Sequence, residues 1–186
     1  MNYLDKLKAM RTKRVMEPTK VEHEDLVDVI KHLTYMQSAL NAQVLRYVII
    51  DHPCEDVFNM TNFPTKHMVS SDNQPSAYIV IGTEKKMPDT KLLGMDIGVA
   101  LEIIKEALFD KGLDCVSINS IDINKLKAYL NIDDFYPEDI VAIGKSNMKV
   151  NIEITNDKTG TAKNEKGEHV VYKLSKDALL KEAKNE

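Results

Sequence analysis

The stretch Leu93–Ser120, LGMDIGVALEIIKEALFDKGLDCVSINS, reads as a long helix delivered into a buried strand, and the rest of the chain arranges itself around that pair. Leu93, Ile97, Ala100, Leu101, Ile104, Ala107 and Leu108 recur at helical spacing and mark a broad apolar face. Gly112 stands where a glycine closes a helix, because that position takes a left-handed backbone at little cost. Gly94 and Gly98 lie one turn apart on the same helix, each unfavourable by about 1 kcal/mol against alanine, so a close neighbour is expected there. Asp114–Ile118 then reads as a strand. Its exit, Ser117-Ile118-Asn119-Ser120, is the carboxyl end of a strand, where sheet proteins bind ligands. The same residues also suit a plain turn that caps the next helix.

Outward from this core, Tyr78–Ile81 is a buried strand ending at Gly82, and Lys85–Asp89 is an exposed connection. Leu45–Ile50 is a β-branched run stopped by Asp51-His52-Pro53, whereas Cys54–Gln74 is polar with weak periodicity. Near the N-terminus Leu4, Leu7 and Met10 trace a short amphipathic helix. Thr19 and Glu22 have capping-box spacing, and Leu26, Val29, Ile30, Leu33 and Met36 then trace a helical face to about Ala39. After the core, Asp122 can cap a helix carrying Leu126 and Leu130, and Ile140–Ile143 is a further strand ending in Gly144-Lys145. In the tail, Lys149–Thr155 and His169–Leu174 alternate like strands around the polar stretch Asn156–Glu168, before a helix capped by Ser175. Strands separated by helices indicate layers around one sheet.

With 186 residues and 43% hydrophobic content the chain can bury one core. A net charge of -4 gives no global field toward nucleic acid or anionic membranes, so neither is expected as a partner and any anion site is local. No membrane-length apolar run or signal-peptide layout is present, which makes the cytoplasm the expected location. Cys54 and Cys115 are expected reduced, and no metal-ligand spacing is found, His23 and His32 being wrongly spaced for a helical zinc pair.

Two polar clusters stand out. Arg11-Thr12-Lys13-Arg14 combines guanidinium forks with a hydroxyl, a match to phosphate geometry; its plainer reading is a solvated basic run. Asn41 and Gln43, alternating with Ala42 and Val44, place two amides on one side of an extended segment, able to read a heteroaromatic edge; alternatively Asn41 merely ends a helix. Together they suit an anionic, planar, nitrogen-rich ligand. Arg46 is either an exposed edge charge or the partner of a buried carboxylate. The acidic helix face Glu22, Glu24, Asp25 and Asp28 reads as solvated. No side chain is singled out as catalytic acid, base or nucleophile, as fits a protein whose cofactor carries the chemistry.

In this order the segments resemble the nitroreductase family. Met10-Arg11-Thr12-Lys13-Arg14 is similar to its Arg-Ser-x-Arg signature, with Thr12 for serine, and Gln37–Tyr47 is similar to its Pro-Ser-x-x-Asn-x-Gln-Pro-Trp-Arg-Phe stretch. Met95–Ala100 continuing to Lys111–Cys115 resembles the long central helix and its Gly-Leu-Gly turn, and Ile140–Gly144 the closing strand. The resemblance implies an α+β fold, a three-layer α/β/α sandwich around a mixed sheet, in a homodimer. It divides the chain into an FMN-binding core, residues 1–148, and a C-terminal extension, residues 149–186, reaching over the partner.

The implied activity is hydride transfer from NADH or NADPH through FMN to a nitroaromatic, quinone or similar acceptor; the alternative is a flavin-binding module with little turnover. Arg11, Thr12 and Arg14 would bind the FMN phosphate, ribityl chain and pyrimidine edge, and Ser38 and Asn41 would reach the flavin from the other subunit, with Gln43 supporting that loop. The backbone of Ile118, Asn119 and Ser120 would approach flavin N5. Lys149, with Lys145 behind it, would complete the phosphate site. Gln37, Val44 and Leu45 replace the usual Pro, Pro and Trp, and Ser120 stands where glycine is typical. Segments 54–74 and 82–92, which build the substrate lid in the family, are shorter than in many members.

Overall fold

The computed structural model describes residues 2–62, 73–88 and 90–181. The chain falls into two compact units, Thr12–Ser146 and a smaller one made of Met1–Arg11 with Asn147–Glu186.

The larger unit is built on strands β1 (Leu45–Ile50), β2 (Ala77–Thr83), β3 (Asp114–Ile118) and β4 (Tyr136–Gly144), in the order β1-β2-β4-β3. Every neighbouring pair is antiparallel. The mixed sheet that the resemblance implies is therefore not found among the described strands of this unit: a helix in a connection can return the chain to the same end of the sheet, where the next strand pairs antiparallel.

The helices of this unit are α2 (His23–His32), α3 (Glu55–Met60), α4 (Lys91–Asp110) and α5 (Ile123–Leu130), α1 belonging to the smaller unit. All residues of β2 are buried, and the period-two alternation of side chains divides Ala77–Ile81 between two apolar clusters. Ala77, Ile79 and Ile81 join Val141 and Ile143 of β4 with Leu26 and Val29 of α2 and Leu93, Ala100, Ile104 and Leu108 of α4. Tyr78 and Val80 join Ile140 and Ala142 with Val57 and Phe58 of α3 and Leu126 of α5. Full burial of one such aliphatic side chain stabilises the fold by about 1.5–3 kcal/mol. A register shift at Ile81/Gly82 brings β2 so close to its neighbour that a Cβ on Gly82 would lie 2.4 Å from the Tyr136 carbonyl and 2.6 Å from the Phe135 ring.

Several local expectations change. The capping box at Thr19 does not form: Glu22 is the N-cap without a side-chain cap bond, and its carboxylate instead pairs with Lys20 Nζ at 2.7 Å. Helix α2 ends at His32 and tightens into a 3-10 turn over Leu33–Tyr35, well before Ala39. The acidic face is not wholly solvated, because Lys111 Nζ holds Asp25 at 3.0 Å and Asp28 at 2.9 Å. Helix α3 lies inside the stretch without periodicity, since six residues are too few to show a helical pattern. Among the described residues a Cβ on Gly94 or Gly98 would meet nothing within 4 Å, so the close neighbour expected there is not found among them.

In the smaller unit, α1 (Tyr3–Ala9) is capped by Asn2, whose side chain accepts the Asp5 N–H. Strands β5 (Val150–Thr155), β6 (Thr161–Lys163) and β7 (His169–Leu174) form a sheet in the order β5-β7-β6, with β5 parallel and β6 antiparallel to β7. Ser175 caps α6 (Lys176–Leu179). No described helix is long and apolar enough to cross a membrane.

Candidate functional site

Three local structures carry the residues singled out by sequence. The first begins at Arg11, whose guanidinium turns back so that Nη2 donates to the Leu7 carbonyl, while its Nε is buried without a hydrogen-bond partner. In the larger unit, Thr12 is exposed and Arg14 half-buried. Lys13 is committed elsewhere: its Nζ lies 3.0 Å from Asp114 Oδ1 at the start of β3 and donates to the Ser146 carbonyl at 3.2 Å. Asp114 also accepts the Ser146 N–H at 2.9 Å, and the Ser146 hydroxyl donates to the Val15 carbonyl. The basic run is thus neither uniformly solvated nor uniformly available. Its lysine anchors the segment, and its arginines are left on either side of that anchor.

The second is the loop Ser38–Gln43. It is not the extended segment expected from the sequence but a 3-10 turn over Ala39–Asn41, with Leu40 (φ 55°), Asn41 (φ 53°) and Gln43 (φ 48°) in the left-handed region. Asparagine tolerates this conformation, but for leucine and glutamine it costs roughly 1–2 kcal/mol each. Such a form persists only when surrounding bonds over-determine it. Those bonds are visible: the Gln43 N–H donates to Ser38 Oγ at 3.1 Å, Gln43 Nε2 to Asn41 Oδ1 at 3.2 Å, and the Ala39 N–H to Asp96 Oδ1 of α4 at 3.0 Å. Arg46 Nη1 donates to the Gln43 carbonyl at 2.8 Å while its Nε binds Glu84 Oε1 at 2.7 Å, which makes Arg46 the exposed edge charge rather than the partner of a buried carboxylate. The two amides do come together, through the turn rather than through strand alternation. Asn41 does not end α2.

The third is the exit of β3. Ile118 is buried, and Asn119 and Ser120 are exposed. Ser120 is stitched to the chain after α3: the Asn62 N–H donates to its carbonyl at 2.8 Å, and Asn62 Nδ2 to its hydroxyl at 3.2 Å. Asp122 closes the turn by accepting the Lys125 N–H. Within the larger unit, no hydrogen bond among the described residues links the Ser38–Gln43 loop to Thr12, Arg14 or Ile118–Ser120. In the smaller unit Lys149 is exposed, and its charge helps hold Glu168 below the usual carboxylate range, after the hydrogen bonds from Asn164 and Asn151. Lys145 is exposed, and its carbonyl accepts the Glu17 N–H at 2.6 Å.

Both cysteines are buried and free, and burial pushes the Cys115 thiol up to about 12, away from nucleophilic use. Asp96, Asn62 and Glu84 are site-shaping residues that the sequence reading passed over. Asp96 left a signal: it falls in phase with Ala100, Ile104 and Ala107 on the buried face of α4, where a carboxylate is out of place without a partner. Residues 63–72, part of the expected lid segment, lie outside the described residues.

No family model matches the chain, and no curated protein matches it. Solved structures do. A nitroreductase family protein from Streptococcus pneumoniae TIGR4 is 18% identical with a TM-score of 0.68, the match covering 80% of this chain and 92% of that one. A nitroreductase with bound FMN from Bacteroides fragilis NCTC 9343 is 18% identical with a TM-score of 0.63, covering 88% of this chain and 99% of that one. An FMN-dependent nitroreductase from Clostridium difficile R20291 is 21% identical with a TM-score of 0.61, covering 78% and 88%. The strand order, the long amphipathic α4 and the polar loops at the strand ends thus make up a nitroreductase-like fold.

Proposed function

We propose that this chain is an FMN-dependent oxidoreductase that acts as a homodimer, taking a hydride from NADH or NADPH and passing reducing equivalents to a nitroaromatic, quinone or similar acceptor. The observation that carries this reading is the likeness of nearly the whole chain to a nitroreductase with bound FMN. A three-layer arrangement, with the C-terminal segment reaching over a partner copy, belongs to the same proposal.

The residues present fit the cofactor. A buried guanidinium N–H without an acceptor, as at Arg11 Nε, is the kind of group that an oxyanion satisfies, and charge-assisted bonds of this type are worth about 1.5–3 kcal/mol. FMN, when bound, supplies the ring that accepts and donates the hydride at N5. As the resemblance implies, Arg11, Thr12 and Arg14 would hold the phosphate end, and Lys149 or Lys145 would add the remaining positive charge. Ser38 and Asn41, on the loop supported by Gln43, would present polar groups to the ring from the second copy. Backbone N–H groups at Asn119 and Ser120, following Ile118, would stabilise negative charge on the ring.

A visible spectrum of the purified protein before and after each nicotinamide tests this. Flavin bands that bleach with NADH or NADPH are the expected result, and Arg11→Ala and Arg14→Ala should each weaken FMN binding about tenfold or more. A colourless protein that takes up no added FMN overturns the reading. The ties between Asn62 and Ser120 close the loop where the resemblance expects an open glycine, and they favour a second reading, a flavin-binding module with little turnover. Yellow protein inert to both nicotinamides supports that one.

A further inference from the structure

We propose that Asp96 is the positioning residue for the Ser38–Gln43 loop, fixing its left-handed turn through the Ala39 N–H so that Ser38 and Asn41 are presented to the cofactor. This rests on the FMN reading.

The bonds that shape the loop differ in kind. Those from Gln43 to Ser38 and Asn41 are exposed and internal to the loop, and Arg46 and Glu84 are exposed as well. Asp96 is different: it is 6% exposed, it stands on the twenty-residue helix α4, and it accepts the Ala39 N–H at 3.0 Å across 57 residues of sequence. A carboxylate taken out of water is strongly unfavourable unless a donor meets it. The donor it meets is the backbone at the entrance of the strained turn. The neighbouring groups agree with this location. Tyr47 of β1 is pushed up to about 12, first by burial and then by the charge on Asp96. The loop tip itself offers no such hold, Leu40 being 95% exposed in a conformation that leucine disfavours.

Hydrogen exchange and FMN titration of Asp96→Ala and Asp96→Asn, beside the wild-type protein, test the assignment. Asparagine keeps an acceptor oxygen in the same place, so Asp96→Asn should preserve both readouts. Asp96→Ala should speed exchange of the Ala39 amide about tenfold or more and weaken FMN binding by a similar factor, while the Ile79 amide in β2 stays as protected as before. Asp96→Ala with unchanged exchange at Ala39, or with Ile79 rising in step, overturns the proposal. So does a wild-type protein whose Ala39 amide exchanges as fast as an unprotected amide, and that measurement decides if the alanine variant does not fold. Wild-type protein that takes up no FMN removes the functional reading, and the exchange arm still decides what Asp96 does.

Discussion

Strand β2 and the loop Ser38–Gln43 are held in place by opposite means. In β2 every side chain is buried, and alternate residues serve two apolar clusters, so the strand is fixed by area on both faces. The loop buries almost nothing and is fixed by a few directed hydrogen bonds against an unfavourable backbone. Area is non-directional and tolerant of shape, whereas a left-handed turn is specified atom by atom. The rigid part of the molecule is therefore also its anonymous part, and the strained part carries the candidate chemistry.

The contrast can be broken at its strong end. Ile79→Ala removes a fully buried side chain from the cluster that α2 and α4 share with the sheet, and should cost about 2–5 kcal/mol in urea unfolding. A loss below about 1 kcal/mol would mean that β2 is not held by packing.

A smaller effect concerns the acid within the sheet. Asp139 is 6% exposed, and burial raises its pKa above the ordinary 3.8, against the opposing pull of the Ile140 and Ile118 N–H groups and of Lys105. The folded state then holds this proton more tightly than the unfolded state. Its contribution to stability is greatest below 3.8 and is lost as pH rises through the elevated folded value. Unfolding of Asp139→Asn, followed from about pH 3 to pH 7 beside the wild-type protein, should lack that decline. Equal slopes in the two proteins would contradict the assignment.

The smallest effect sharpens the other half. Leu40→Gly relieves the least favourable residue of the turn, whose side chain is nearly all in solvent, and should raise stability by up to about 1 kcal/mol. A loss instead, read by thermal unfolding, would show that Leu40 packs against something and is not strained for its own sake.

Much of this was legible in the residues. Leu45–Ile50, Asp114–Ile118 and His169–Leu174 are strands within the bounds their β-branched runs suggest, and Asp122, Ser175 and Gly112 stand at the helix ends for which their chemistry suits them. These are local decisions, made by neighbours in sequence. The turn at Leu40–Gln43 escapes a local reading because alternating small and polar residues suit a strand, and asparagine suits a helix end, when the distant carboxylate of Asp96 is not in view. The basic run does not announce which of its charges is already paired, because the partner of Lys13, Asp114, is far along the chain.

The sequence by itself determined the longer helices and most of the strands, since periodicity and capping act over a few residues. Only the tertiary structure decided the antiparallel order β1-β2-β4-β3, the strained loop and the split of the basic run into an anchor and two arginines. Each of these depends on a bond between residues far apart in the chain, and no local pattern records where such a partner will arrive.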